Sequence, residues 1–557
     1  MLSLLVTHMI ITIACLWSGY LFYNLVLNNE ERRPIVFYAI SGLILFTTLV
    51  QVIVLFLPIG LYIKLVTAFF LLLLAFLKLK VFKEFYKNIY TEFVSLSRPT
   101  LILFFFIWFV ILLINAGPTM MDDTESYHIQ SIKWIQEYGS VPGLVNLHER
   151  FGFNSSWFSS VALFGFSSET TGGFTALNSI QSMWLCYWLI SKYNQLQKEK
   201  NQSAAIAILA ILFGCLLIWP LVRGNAATAN YDFIATVLVL ILLIEKFLST
   251  EKEISPSIEW VIWPAYLLTV RIINFPLLLI SVTAIIIFIK QKRIKTMVLP
   301  IACCLLLIIP FIIRNIIISG YPFYPAIYFD LANVDWKPDP QMTERLLEYI
   351  KYYNRVSTTY LDIEQTKALG SAWAPKWFKH LFLFDKALLI LGVSGIVLTI
   401  AKLFTQRNKR VMLLMTNSLL WLILWFFISP DPRFIYGVLL FGVFLVAYHL
   451  TILIKNESIV KMFSDVLIIL TISAMVFYFV SKPWKQKEYR NWIKPAQLPQ
   501  PPVKEIVIDN ITFRIPEPIN NNWNSRCYGT ELPCLYKIDP RLKARGKNIR
   551  SGFHLEK

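Results

Sequence analysis

Carboxylates and a histidine lie close together at Asp122, Asp123, Glu125 and His128, directly after the apolar run 101–114. No other apolar run of the chain is followed by so dense an acidic group. A carboxylate pair held where a membrane meets water suits a substrate with a polar head and a lipid tail. The alternative is that Asp122 and Asp123 cap the positive end of the helix that follows.

Arginines at the outer ends of predicted membrane spans form a second group of candidates. They are Arg223, Arg271, Arg314 and Arg433, and Asp232 lies at the same level. A charge at the bilayer centre costs about 2.5–3.5 kcal/mol on insertion scales, so charges near spans require a reason. Guanidinium groups bind phosphate oxygens through a bidentate fork and keep their charge when buried. Several of them opposite carboxylates predict a site for a lipid-linked phosphate, although any single arginine can instead snorkel to the interface.

The composition defines the class of protein that must position these residues. The chain has 557 residues, of which 56% are hydrophobic, and its mean hydropathy of +0.58 indicates a polytopic membrane protein. The net charge is +18, but the basic clusters fall between apolar runs, as topology signals do. The lipid bilayer is therefore the expected partner, and nucleic acid is not. Segment 2–27 lacks the features of a cleavable signal peptide.

The order of apolar runs predicts an all-α membrane protein of about 14 transmembrane helices. The positive-inside rule places its basic connections in the cytoplasm and the N-terminus, the acidic cluster and the tail outside. Those connections are 29–33, 78–98, 192–200, 291–295, 406–410 and 455–461. The stretch 156–167 is too short to span, which predicts a re-entrant segment. The block 258–290 predicts two short helices that meet at the outer face.

Six segments follow from this topology. They are N-terminal transmembrane helices (1–115), a first large extracytoplasmic loop with the acidic motif (116–172), transmembrane helices (173–317), a second large outer loop (318–384), C-terminal transmembrane helices (385–481) and an extracytoplasmic tail (482–557). In the first loop, the helical spacing of Ile129, Ile132 and Ile135 predicts an amphipathic helix along the membrane surface. In the tail, the alternating stretch 505–515 around an Asp-Asn turn predicts a β-hairpin.

The two cysteines of the tail, Cys527 and Cys534, stand in polar surroundings, unlike the five others. No histidine accompanies them as a zinc site would require, so a short-loop disulfide and an oxidising compartment are predicted. Because the tail lies far along the chain from the acidic cluster, Cys534→Ala is expected to leave part of the activity.

Taken together, these features resemble the GT-C superfamily of integral-membrane glycosyltransferases. The closer resemblance is to an uncharacterised bacterial group related to polyprenyl-phosphate-sugar-dependent transferases. The matching motifs are Asp123-x-x-x-Tyr127-His128-x-x-x-Ile132-Lys133-Trp134-Ile135, Asn146-Leu147-His148-x-Arg150-Phe151-Gly152-Phe153-Asn154-Ser155-Ser156-Trp157, Arg314-Asn315-x-x-x-Ser319-Gly320-Tyr321-Pro322, Asp431-Pro432-Arg433-Phe434 and the Cys527–Cys534 tail. The resemblance runs from residue 116 to the end. The superfamily often carries its acidic loop after the first span; here it follows about the fourth, which implies three additional N-terminal spans.

The resemblance implies a polyprenyl-phosphate sugar as donor and a glycan, lipid or protein as acceptor. Transfer would occur on the periplasmic or exterior face of the bacterial cytoplasmic membrane. Asp123 aligns with the loop acid of the family and is the first candidate for general base, with Asp122 second. Some members use a divalent metal, for which Asp122 and Asp123 would be the ligands, but no histidine-rich ligand set accompanies them.

The remaining candidates would bind the substrates. They are Tyr127 and His128 for positioning, His148 and Arg150 for the sugar or phosphate, Asn154, Asn315 and Asp431 from the matching motifs, and Arg271, Arg314 and Arg433 for the leaving phosphate. His128 has an alternative as an ordinary surface residue of a helix. A fixed cation in a water-poor site offsets the charge that develops on the departing phosphate.

Two other functions remain open. A polymerase or ligase for lipid-linked glycans would use the same lipid-phosphate chemistry and large outer loops. A lipid flippase or transporter would favour carboxylates in the middle of spans and would need neither a large outer loop nor a disulfide-bearing tail.

Overall fold

A computed structural model of the chain describes residues 1–26, 33–249, 257–356, 363–454, 456–517 and 526–556. The protein is mostly helical. The α-helices of the first half are α1 (Leu2–Leu21), α2 (Ile35–Ile53), α3 (Leu61–Leu77), α4 (Leu79–Val94), α5 (Arg98–Asn115), α6 (Ile129–Glu137), α7 (Ser156–Phe164), α8 (Gly172–Lys198), α9 (Gln202–Leu217), α10 (Val222–Asn225), α11 (Asp232–Leu248), α12 (Glu259–Val270) and α13 (Leu278–Lys290). Those of the second half are α14 (Val298–Ser319), α15 (Pro340–Val356), α16 (Ile363–Ala368), α17 (Trp373–His380), α18 (Leu383–Leu403), α19 (Lys409–Ile428), α20 (Tyr436–Leu453) and α21 (Glu457–Phe479).

Nine helices of the described chain are long and apolar enough to cross a membrane, and a tenth is added if the bent pair α3–α4 is one span. The nine spans contain α1, α2, α5, α13, α14, α18, α19, α20 and α21. The chain is therefore a multi-pass membrane protein. The predicted number of about 14 is not reached on this criterion. Helix α8 carries several buried polar side chains, while α9, α11 and α12 have only 16, 17 and 12 residues.

The first two helices pack closely because glycines face the partner backbone. A Cβ on Gly19 would lie 1.9 Å from the carbonyl oxygen of Tyr38, and a Cβ on Gly42 would lie 1.8 Å from that of Cys15. Small residues allow such close approach between membrane helices, which are not driven together by water. This pair gives the N-terminal spans a rigid foundation beside the acidic loop.

The predicted outer segments meet at one end of the helical body. The N-terminal ammonium of Met1 donates to the carbonyl of Asn491 at 2.6 Å. Arg545 of the tail donates to both oxygens of Asp335 in the second large loop, at 2.9 and 3.0 Å. Trp377 of that same loop donates its indole N–H to a carbonyl of the 429–433 turn at 3.0 Å.

The predicted cytoplasmic connections meet at the opposite end. Lys198 donates to the carbonyl of Ser95 at 2.7 Å, and Lys192 forms an ion pair with Glu245 at 2.7 Å. Most of the 29–33 connection and Lys455 lie outside the described residues. The segregation of the other connections agrees with the positive-inside assignment, whereas the compartment that each end faces remains a prediction.

Two segments differ from their predicted form. The region after Lys78 is a helix, α4, which bends by 96° from α3 and packs Phe85 against the rings of Trp17 and Tyr20. Helix α6 is formed as predicted, but its residues 129–135 are buried within the protein. The tail covers its polar side.

The tail contains two small antiparallel sheets. Strands β1 (Val503–Ile508) and β2 (Ile511–Pro516) form the predicted hairpin, and β3 (Leu542–Ala544) pairs with β4 (Phe553–Leu555). The hairpin turn consists of Asp509 and Asn510, both with positive φ (49° and 66°), as a tight two-residue turn requires. A disulfide joins Cys527 to Cys534.

Candidate functional site

Asp123 lies at the outer end of the helical body, where the chain leaves α5 and enters a π-helical turn, Thr124–His128, that continues into α6. One of its oxygens accepts a hydrogen bond from the guanidinium of Arg150 at 2.9 Å. The other lies 3.6 Å from the guanidinium of Arg433. The side chain is 24% exposed, so it is held from two sides and still open to solvent.

Arg433 is shared among three carboxylates. Besides Asp123, its guanidinium lies 2.9 Å from Asp431 and 3.8 Å from Asp232. The backbone N–H of Arg433 donates to the Asp431 side chain at 3.1 Å, which caps the short helix Pro432–Ile435 before α20. The Nε of Arg433 is the atom that faces Asp431 and Asp232, although its geometry makes no hydrogen bond to any described residue. The cation is therefore held among the carboxylates mainly by charge attraction.

Asp232 connects this group to the break between α12 and α13. It lies in the first turn of α11 and forms an ion pair with Arg271. The Arg271 guanidinium is stacked 3.5 Å from the ring centroid of Phe434 and 5.5 Å from that of Tyr231. Aromatic walls of this kind limit the water around the charges, which strengthens their mutual attraction.

We call this group the arginine–carboxylate network. Its members are Asp123, Arg150, Asp232, Arg271, Asp431 and Arg433. They come from the first large loop, the start of α11, the end of α12 and the turn before α20. The three cations balance the three anions, so a further anion would compete with the carboxylates for the arginines.

The network determines the acidity of Asp123. Burial by itself would raise the pKa of this carboxyl, but the charges of Arg433, Arg150 and Arg271 hold the pKa below its ordinary value. Asp123 is therefore ionised at neutral pH and is a weak base while the arginines remain in place.

His128 is buried beneath the network rather than on a helix surface. Burial lowers its pKa to about 3, so the ring is neutral at physiological pH. The ring packs against Tyr127, Phe158 and Tyr231, at centroid distances of 4.4, 5.1 and 5.5 Å. The neighbouring Tyr127 ring lies 5.3 Å below the Arg150 guanidinium. Both residues thus form the floor of the site.

His148 and Arg150 have different surroundings although both belong to one motif. The His148 ring accepts a hydrogen bond from the backbone N–H of Arg150 at 2.9 Å and so caps the short helix Glu149–Gly152. Its other contacts include the tail residue Tyr536 at a centroid distance of 4.7 Å. Burial lowers the pKa of His148 to about 3. The contacts of His148 position Arg150 and join the loop to the tail.

The structure does not bring Arg314 into the network. Its guanidinium donates to the side-chain oxygen of Asn154, and no carboxylate of the described chain forms an ion pair with it. Asn315 donates to the carbonyl of Pro322 at 2.7 Å and stabilises the turn after α14. Arg314 and Asn315, which belong to one motif, thus make their contacts in a region separate from Asp123.

Asp122 also points away from the network. Its side chain is 78% exposed and pairs with Arg526 of the tail at 2.9 Å. Arg526 contacts Glu125 as well, and the backbone N–H of Tyr528 donates to the Glu125 carbonyl at 3.1 Å. The acidic pair of the sequence is therefore divided between two sets of partners.

Three residues with important contacts are not assigned to the site by the sequence. Asp232 stands out there only as a charge at the outer level, and its neighbour Tyr231 has no distinguishing feature in the Asn-Tyr-Asp stretch. Arg526 stands next to Cys527, yet nothing in the local pattern indicates that it reaches a loop 400 positions earlier. Only the fold reveals these contacts.

The carboxylates present do not fit the metal site suggested for Asp122 and Asp123. Their side chains point to different cations, Asp123 to Arg150 and Arg433, Asp122 to Arg526. A dication would have to displace guanidinium groups from both. Among the residues that the structure describes, no group of three or more His, Cys, Asp or Glu side chains could hold a metal ion.

Fold and site together define a class: a multi-pass membrane protein with a charged network at the end of its spans. The chain belongs to the family described as a domain of unknown function, DUF8201, whose model matches residues 1–440. All six network residues lie within this match, and the tail lies beyond it. No curated protein and no solved structure shows a significant match to the chain.

Proposed function

We propose that this chain is a GT-C-type glycosyltransferase that moves a sugar from a polyprenyl-phosphate donor to an acceptor hydroxyl. The observation that carries the proposal is the contact of Arg433 with three carboxylates, among them Asp123, at the end of apolar spans. A guanidinium held among carboxylates suits a phosphate whose lipid tail remains in the bilayer, because the phosphate oxygens can take the place of a carboxylate.

In the proposed reaction, Asp123 takes the proton of the acceptor hydroxyl while the hydroxyl oxygen attacks the anomeric carbon of the sugar. The bond between that carbon and the phosphate oxygen breaks, and the phosphate leaves with the electron pair. Arg433 and Arg271 offset the negative charge that develops on the phosphate. Tyr127 and His128 support the floor on which the sugar would lie.

Donor binding would also increase the basicity of Asp123. In the protein without substrate, Arg150 and Arg433 hold its pKa below the ordinary value. A phosphate in the network draws these guanidinium groups toward itself and adds a like charge near Asp123. Both effects raise the pKa of the carboxyl. The base thus becomes stronger only when a donor is present.

We also propose that the helices which fail the length and composition criterion complete a membrane domain of about 14 spans. Helices α8, α9 and α11 pack within the body, with α8 against α5 and with α9 and α11 against α20. Adding α3, α8, α9, α11 and α12 to the nine candidates gives this number. The polar or short sequences of α8, α9, α11 and α12 are tolerated because neighbouring helices surround them.

The active end would face the periplasm or exterior of the bacterial cytoplasmic membrane. Labelling of single cysteines from outside intact cells tests this orientation. A cysteine at Gln341, which is exposed in α15, should react, whereas one at Arg293 should react only after the membrane is opened. The reverse pattern would contradict both the orientation and the compartment.

The function itself is tested with purified protein in lipid nanodiscs. The protein is incubated with a panel of polyprenyl-phosphate sugars and acceptor extracts, and release of polyprenyl phosphate is measured. Release that requires the wild-type network supports the proposal. Products extended by many sugars would instead identify a polymerase, and movement of intact donor across the membrane without cleavage would identify a flippase.

A further inference from the structure

Among the described residues, Arg314 is the most deeply buried arginine without a counter-ion at the end of the body where the predicted outer segments meet. Its exposed fraction is 4%, although it lies only about one turn from the end of the apolar span Lys295–Ser319. Its one hydrogen bond within the described residues goes to a neutral acceptor, the carboxamide oxygen of Asn154. The buried Nε of Arg314 has no partner there.

Other arginines that lack carboxylates are compensated differently. Arg223 lies over the rings of Trp219 and Tyr478, and Arg355 lies 4.2 Å from the ring centroid of Trp373. No ring of the described chain is stacked on Arg314 in this way. A guanidinium keeps its charge when it is buried. Removing such a charge from water without a partner is strongly unfavourable, so its retention requires a reason.

The surroundings of Arg314 connect it to the network without making it a member. Asn154 also donates to the carbonyl of Phe311 at 3.1 Å, and Ser155 donates to the carbonyl of Val270 at 2.8 Å. Val270 precedes Arg271. The segment just after Arg150 thus lies between Arg314 on one side and the break between α12 and α13, which contains Arg271, on the other.

We propose that Arg314 is an anion subsite, separate from the arginine–carboxylate network, which binds the oxyanion of a phosphate group. The oxyanion replaces the Asn154 carboxamide oxygen as the acceptor of the guanidinium and also accepts a hydrogen bond from the unpartnered Nε. The phosphate is either that of a lipid headgroup or a free phosphate. The subsite does not depend on Asp123 acting as a base.

The test uses the full-length protein in detergent and follows its Tm with increasing inorganic phosphate or farnesyl phosphate, with sodium chloride at equal ionic strength as control. The wild-type Tm should rise by several degrees with at least one phosphate. Because the network would also bind phosphate, the same series is measured in Arg433→Gln. Arg314→Met, a neutral chain of similar length, should lose the part of the rise that remains in Arg433→Gln. If Arg314→Met loses only the effect of farnesyl phosphate, the ligand is a lipid phosphate; if it loses the effect of inorganic phosphate too, the lipid tail is not required.

Asn154→Asp supplies the missing counter-ion with almost no change in shape. This variant should have a higher Tm than wild type without phosphate and should lose the same part of the phosphate response as Arg314→Met. Arg314→Met should likewise keep a Tm at or above the wild-type value without phosphate, because it removes an uncompensated charge. A structural arginine would behave in the opposite way, since its loss would lower the Tm.

Failure of this inference is distinguishable from failure of the proposed function. Asp123→Asn should retain the Arg314-dependent phosphate response even if the protein transfers no sugar. A wild-type protein without any phosphate response, or a response unchanged in Arg314→Met, would overturn the subsite whatever the transferase assay shows.

Discussion

Asp122 and Asp123 are neighbours in the chain, yet they belong to different parts of the protein. Asp123 is three-quarters buried and faces Arg150 of the first loop and Arg433 of the turn before α20. Asp122 is largely exposed and faces one arginine of the tail. In the proposed reaction the first exchanges a proton with a substrate, whereas the second helps to attach a covering segment. Residue type and proximity in sequence do not separate these roles.

The two sets of partners also differ in how replaceable they are. The network is shared among buried and half-buried charges, so the loss of one cation leaves carboxylates that repel one another. The tail contact is supplemented by hydrogen bonds to neutral carbonyl groups, because Gln130 and Lys133 of α6 donate to the carbonyls of residues 528–530. Damage to the network should therefore have larger consequences than damage to the tail contact.

The largest effect is expected for Arg433→Gln. This change removes the cation that Asp123, Asp232 and Asp431 share. It also removes the side chain that is proposed to bind the phosphate. Both donor binding and turnover should be lost, with a rate at least about 10³-fold below wild type. Farnesyl phosphate binding and sugar transfer measure the two losses separately.

The matched control is Arg541→Gln in the tail, where the arginine is half exposed and pairs with Asp539. Exposed pairs contribute about 0–1 kcal/mol, so this variant should retain wild-type binding and transfer. Normal donor binding by Arg433→Gln would contradict the assigned phosphate site.

A smaller effect is expected for Arg150→Gln, and it should depend on pH. Removing this cation raises the pKa of Asp123, so the acidic limb of the rate profile should move to higher pH, with turnover near pH 8 within about tenfold of wild type. Because the folded-state pKa of Asp123 is lowered, its stabilising contribution is present above the unfolded-state pKa. That contribution is lost as the pH falls through the folded-state value. If the acidic limb does not shift, Asp123 is not the group whose ionisation controls the rate.

The smallest effect is expected for the tail. Cys527→Ser with Cys534→Ser should destabilise the tail by roughly 2–3 kcal/mol and reduce transfer a few-fold. The tail is far from the acidic cluster along the sequence, which was the reason to expect activity without an intact tail. In the structure, however, residues 526–530 contact residues 122–133, so that reason no longer applies. The control is the double variant Cys303→Ser with Cys304→Ser in α14, whose cysteines form no disulfide. Equal transfer rates in the two double variants would show that the disulfide does not affect the loop with the acidic cluster.

Local sequence patterns were sufficient for the features that depend on local physics. Apolar runs predicted a multi-pass protein, and an alternating stretch with an Asp-Asn turn predicted the β1–β2 hairpin. The grouping of outer segments followed from the positions of basic residues. What the sequence could not show is which charges meet, since Asp232 and Arg271 are 39 positions apart and Asp123 and Arg433 are 310 positions apart. The tail contact and the burial of α6 likewise depend on long-range packing.

The most direct test of the central claim compares Asp123→Asn with Asp122→Asn in the same nanodisc assay. Asparagine preserves the shape of the side chain and caps a helix about as well as aspartate, but it cannot act as the base. Release of polyprenyl phosphate should fall by about 10²–10⁴-fold in Asp123→Asn, with donor binding retained. Asp122→Asn should remain close to wild type. Near-normal release by Asp123→Asn, or equal losses in both variants, would contradict the assignment of Asp123 as the base.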